Sequence, residues 1–168
     1  MEFSIFEFKN HLIDFFTNRV MICAAIAWFF AQFLKIFTSP KHRDGMSFLR
    51  FVVGSGGMPS SHAAVVCAAC FSCGILYGFD SPLFALSAVL AVVVMRDAAG
   101  VRRESGKQAA AINKMSLELS KKRKNFDPIT LQELLGHTPL QVLIGGLVGI
   151  SMAFFCQCWL FPIIFPAM

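Results

Sequence analysis

The chain has 168 residues, 56% of them hydrophobic and 15% charged, with a mean hydropathy of +0.64 and a formal net charge of +5. A soluble domain is typically about 45–50% apolar and about 25% charged. The composition therefore excludes a disordered chain and argues against a cytosolic globule, and the length leaves no room for a second full domain beside a membrane part. The charges are segregated: residues 139–168 carry none, whereas residues 96–124 hold nine of the fifteen Lys and Arg. Basic loops between apolar runs are the layout of a membrane protein, so nucleic acid is excluded as a partner.

Residues 1–18 bring Phe3, Phe6, Ile13 and Phe16 to near-helical spacing among charged residues. They predict an amphipathic helix lying in the membrane interface, with no apolar core of signal-peptide type. Residues 19–38 form the first long apolar run, about the length that crosses a bilayer core of about 30 Å, and Ser39-Pro40 ends it. Residues 41–60 are a polar, glycine-rich loop. Residues 61–79 contain no Asp, Glu, Lys or Arg and read as a second span, and Asp80-Ser81-Pro82 as a tight turn opening the next helix. The third apolar run, 82–95, either continues through Arg96 and Asp97 as a span over 82–101 or is re-entrant. Residues 102–126 read as a basic amphipathic segment. The last span covers 139–161, with Pro162 and Pro166 disrupting its end.

These elements predict one all-α, polytopic membrane helix bundle over 1–168. The loops 41–60 and 96–138 fall on one membrane face, and their basic character places that face in the cytoplasm. Membrane lipid is the expected surrounding partner, and a homo-oligomer is left open. Lys121–Lys124 are assigned to anionic head groups or solvent. The six cysteines, Cys23, Cys67, Cys70, Cys73, Cys156 and Cys158, sit in apolar stretches and read as small packing residues. The Cys67/Cys70/Cys73 spacing is that of a metal motif, but with no fourth ligand nearby helix packing is the better account. No cofactor or metal is expected.

Two segments carry chemistry. Gly56-Gly57-Met58-Pro59-Ser60-Ser61-His62 precedes the second span, and Gly136-His137-Thr138-Pro139-Leu140-Gln141-Val142 precedes the fourth. Ser60 or Ser61 can cap one helix and Thr138 the other, with Pro139 in its first position. Helix N-termini offer free N–H groups and partial positive charge, which suit phosphate. Two such ends on one face, each with a His, could converge on one anion. From spacing alone, simple caps and solvated histidines are the better account.

Pro59-Ser60-Ser61-His62 resembles the P-S-G-H motif of the type 2 phosphatidic acid phosphatase and vanadium haloperoxidase superfamily. His137-Thr138-Pro139-Leu140-Gln141-Val142, with Gly145, resembles that superfamily's H-x-P-x-D-V motif and following glycine. The fuller string is similar to its divergent bacterial and plastid branch. It joins the first motif to Arg96-Asp97-Ala98-Ala99-Gly100-Val101-Arg102-Arg103, Gly106, Gln108 and Asn113, then to Glu133-Leu134-Leu135-Gly136-His137. The resemblance implies a phosphatase acting on a phosphomonoester or diphosphate, in a bacterial inner or plastid-type membrane, on a substrate that is lipid-linked by analogy. His137 would be the nucleophile forming a phosphohistidine and His62 the general acid. Gly57, Ser60 and Ser61 would be phosphate donors. The alternative is a weak or inactive phospholipid- or anion-binding or transport protein of the same fold.

The departures shape the remaining expectations. The superfamily's first motif is Lys, six residues, then Arg-Pro; here Lys35 is followed by His42-Arg43 with no proline. Lys35 is either a phosphate ligand, with Arg43 beside it, or a snorkelling side chain at a span end. The last motif's Ser-Arg pair is replaced by Thr130 and Leu131, so Arg96, Arg102 or Arg103 is expected to supply the missing guanidinium. Gln141 stands where the superfamily has Asp. Either Glu133 or Asp97 supplies a carboxylate to His137, or catalysis is weak or lost.

Overall fold

The computed structural model describes residues 5–38, 57–123, 127–131 and 136–165. Each helix starts where a local cap allows it. Helix α1 (Ile5–Phe16) is followed by Asn18, whose side-chain oxygen accepts from the N–H groups of Val20 (3.0 Å) and Met21 (3.1 Å) and so opens α2 (Arg19–Thr38). Ser60 caps α3 (Ser61–Tyr77), and Ser81 caps α4 (Pro82–Ala99) with Pro82 in its first turn. The turn between them needs Gly78: its φ of +94° is a conformation that other residues avoid. After a break at Gly100 comes α5 (Val101–Lys122). Thr138 caps α6 (Pro139–Phe155), which widens into a π-helical turn (Cys156–Leu160) and ends in α7 (Phe161–Ile164).

Among the described residues there is no strand, and the architecture is an all-α membrane bundle. Helix α2, the α4 run and α6 through Ile164 are long and apolar enough to cross a membrane; α3, at 17 residues, is a shorter apolar helix. Helix α3 is central, packed against α2, α4 and α6. Small residues on α2 and α3 make that contact close, with Cys23, Ala27 and Ala31 of α2 and Ala63, Ala64 and Ala68 of α3 fully buried. Large side chains point the other way: Phe29, Phe33 and Phe37 on α2, and Leu86, Val89 and Val93 on α4, are exposed on the surface that lipid covers.

The sharpest packing is between α3 and α6. A Cβ at Gly145 would run into the Ser60 carbonyl, and one at Gly149 into the Ala64 carbonyl. The two glycines, four residues apart, let the backbones touch in the small-xxx-small manner of membrane helices. At the far end Gln157 Nε2 donates to Ser72 Oγ at 3.0 Å, joining the π-helical turn to α3, and Arg19 sits over the Phe165 ring at 5.4 Å.

The run expected over 82–101 is one continuous helix to Ala99, and Gly100 marks the bend. Helix α5 is polar and exposed. Asn113 Oδ1 accepts from the Leu131 N–H (2.7 Å) and Ser116 Oγ from the Ile129 N–H (2.7 Å), laying segment 127–131 along α5. Pro162 does not stop the last helix. It occupies the first turn of α7, where a missing N–H is harmless.

Candidate active site

Both motif segments act as caps. The Ser60 hydroxyl accepts from the Ala63 N–H (3.4 Å), and Thr138 Oγ1 accepts from the Gln141 N–H (3.3 Å) while Gln141 Oε1 accepts from the Thr138 N–H (2.9 Å), a reciprocal capping box. Because α3 and α6 touch at Gly145, their N-termini lie side by side. The Ser60 N–H donates across to the Gln141 carbonyl at 3.0 Å. The outcome is that the rings of His62 and His137, 75 positions apart in the sequence, stand with centroids 6.4 Å apart and planes inclined by 60°.

His137 is buried, only 6% exposed, while His62 is exposed. His137 Nδ1 lies 3.3 Å from Gln141 Oε1. The Thr138 N–H can only donate, so the amide atom it meets is the oxygen. The imidazole nitrogen facing that oxygen then carries the proton, and Nε2 keeps a free lone pair. Burial pushes the His137 pKa below its ordinary value. The Lys35 charge adds to this, the Gln141 bond partly opposes it, and the charges of His62 and Arg102 lower it further. The lowered pKa favours the neutral ring, and the Gln141 oxygen favours the tautomer with its proton on Nδ1.

Lys35 turns inward instead of snorkelling. It is 2% exposed, and its Nζ donates to Ser61 Oγ at 3.0 Å. Among the described residues no carboxylate pairs with it. A buried ammonium with one hydroxyl acceptor is a costly arrangement that an anion would relieve. Its charge reaches both imidazoles.

The remaining expected residues divide. Ser60 is fully buried, with its N–H committed to Gln141. Gly57 has a φ of +84°. Arg102 lies beyond the α4–α5 bend with its Nε donating to Asp97 Oδ2 at 2.8 Å, so Asp97 faces Arg102 and not His137. The His137 N–H donates to the Ala98 carbonyl at 3.1 Å, and Gly136 presses on the backbone of Arg102 and Arg103 so closely that a Cβ would collide. Arg96 borders a cavity of about 320 Å³ between α4 and α6, lined by Val92, Met95, Ala99, Pro139, Val142 and Leu143. Arg43 and Glu133 lie outside the described residues. Sequence reasoning missed the Asp97–Arg102 pairing. Five-residue spacing does not bring side chains together on an unbroken helix, and only the break at Gly100 signals it.

An all-α membrane bundle with a histidine pair at the joint of two helix N-termini is the class that this fold and geometry define. The chain belongs to the divergent PAP2 family, whose sequence model matches residues 16–152. It is 38% identical over 153 residues to YuiD, an uncharacterized membrane protein of Bacillus subtilis (strain 168), a match covering 83% of this chain and 94% of that protein. No solved structure matches it.

Proposed function

We propose that this membrane protein hydrolyses a phosphomonoester or diphosphate through a phosphohistidine on His137. One observation carries the reading: the two imidazole ring centroids stand 6.4 Å apart beside a buried lysine with no partner carboxylate among the described residues. Phosphoryl transfer asks mainly for positioned positive charge and an in-line nucleophile. His137 Nε2 attacks phosphorus, the bond from phosphorus to the leaving oxygen breaks, and His62, protonated, delivers its proton to that oxygen. Water then attacks the phosphohistidine with neutral His62 taking its proton, the N–P bond breaks, and inorganic phosphate leaves. Lys35, Ser61, Arg102 and the free N–H groups of the α3 and α6 N-termini hold the phosphoryl oxygens. The sequence requires no metal or cofactor for these steps.

The substrate is lipid-linked in this reading. The apolar cavity between α4 and α6 runs from Arg96 to Pro139, two residues from the nucleophile, and suits a hydrocarbon chain whose head group reaches the histidines. The basic character of the loops supports a cytoplasmic active face, on a bacterial inner membrane or its plastid equivalent.

Gln141 favours a second reading, an anion-binding or transport protein with little turnover. In the handling of a serine-protease triad, replacing the orienting carboxylate by an amide costs about 10⁴ in turnover through the wrong tautomer. Here the amide oxygen faces Nδ1, so the tautomer is correct and only the charge is missing. That difference supports retained catalysis. The test is phosphate release from lipid and soluble phosphates by purified wild type and His137→Ala, with and without vanadate. Vanadate-sensitive release lost in His137→Ala is expected. Saturable vanadate binding without release would leave the binding reading, and neither release nor binding would end both.

A further inference from the structure

The α4–α5 junction pairs two residues that a continuous helix would keep apart. At 3.6 residues per turn, positions five apart differ by about 140° around the axis. The break at Gly100 swings α5 so that Arg102 Nε donates to Asp97 Oδ2 at 2.8 Å. Both side chains are well exposed, 55% for Arg102 and 42% for Asp97, and an exposed ion pair adds little to stability. A stability role therefore does not account for the bend.

The junction is fastened to the nucleophile's own loop. The carbonyl of Ala98, next to Asp97, accepts the His137 N–H, and Gly136 rests on the backbone of Arg102. The Arg102 charge reaches both imidazoles and the Asp97 charge reaches His62. The Asp97 bond occupies only the Nε–H of the guanidinium, leaving both terminal NH₂ groups to donate.

We propose that Asp97 is a positioning residue that aims the Arg102 guanidinium at the phosphoryl group held between His62 and His137. The proposal rests on the phosphate-site reading above and deepens it. Arg102 supplies a planar fork for two phosphoryl oxygens, which lysine cannot replace, and Asp97 holds that fork over the site.

The experiment uses the full chain in lipid nanodiscs. Vanadate binding is measured by calorimetry, which needs no turnover, beside kcat and KM on the best substrate. Arg102→Ala is expected to weaken vanadate binding about 10- to 100-fold, the scale of one or two charge-assisted hydrogen bonds. Asp97→Asn should lower kcat and vanadate affinity about tenfold, with unfolding temperature and KM little changed, and Asp97→Glu should recover most of the loss. Arg102→Lys should not recover function. In the Arg102→Ala background, Asp97→Asn should add nothing. Wild-type behaviour of Asp97→Asn beside an impaired Arg102→Ala would overturn the positioning role, as would losses that multiply in the double variant. Either result leaves the phosphatase reading standing, since that is judged on wild type against His137→Ala.

Discussion

The Ser60 N–H donates to the Gln141 carbonyl at 3.0 Å, so the residue that caps α3 is bonded directly to the residue that orients His137. The bond forms because Gly145, one turn further along α6, has no side chain to hold the Ser60 carbonyl away. Gly145→Val is expected to push α6 off α3, costing about 1–3 kcal/mol as overpacking does. It should also separate the histidines, and small misplacements of reacting groups cost about 10²-fold in rate. Unfolding in detergent and phosphate release together check this. A stable, fully active Gly145→Val would contradict the joint.

Gln141 has two duties that substitutions separate. Gln141→Glu keeps an acceptor for the Thr138 N–H and adds a charge beside Nδ1. It should raise the His137 pKa and increase kcat on esters with poor leaving groups. Gln141→Leu loses the side-chain half of the capping box, about 1 kcal/mol, while the Thr138 hydroxyl still accepts from the backbone N–H, and it frees the tautomer, so that turnover should fall toward the roughly 10⁴-fold loss of a misoriented catalytic imidazole. Steady-state kinetics with matched unfolding curves distinguish the two.

In the proposed reaction the acid limb of kcat/KM would report His137. Burial first, then the Lys35 charge, lower its pKa, with Gln141 opposing and His62 and Arg102 adding to the lowering. Attack needs the neutral ring, and a lowered pKa keeps it neutral to lower pH. The limb should therefore fall below the about 6.5 of an ordinary histidine. Lys35→Met removes one lowering charge, so the limb should move up in pH while vanadate binding weakens. A wild-type limb at or above about 6.5 would count against His137 as nucleophile.

At the opposite end, Gln157 Nε2 bonds Ser72 Oγ while its Oε1 is buried without a partner among the described residues. Ser72→Ala should destabilise by about 1 kcal/mol, the scale of interhelical hydrogen bonds in membranes. Gln157→Leu with Ser72→Ala should be close to neutral, because both polar groups leave together. Thermal unfolding in one detergent measures all three proteins.

How far the sequence was legible depended on whether a feature was local. The starts of α3, α4 and α6 follow from Ser60, Ser81-Pro82 and Thr138-Pro139, each a cap readable within four residues. The meeting of His62 and His137 was legible from two motifs at the heads of two spans. The inward turn of Lys35 was not, because a lysine near a span end reads equally as snorkelling; its burial depends on Ser61 of another helix. The Asp97–Arg102 pair was hidden by the Gly100 break, and the π-helical turn by an apolar sequence, Cys156–Leu160, that carries no period of its own.

Helix α3 has 17 residues, a rod of about 26 Å against a hydrocarbon layer of about 30 Å. Since His62 is its second residue, a bilayer matched to this helix would hold the proposed reacting groups at the boundary between acyl chains and head groups. The proposed hydrolysis would then depend on how far the leaflet dips to meet a short helix, which would make the thickness of the host bilayer a control on turnover.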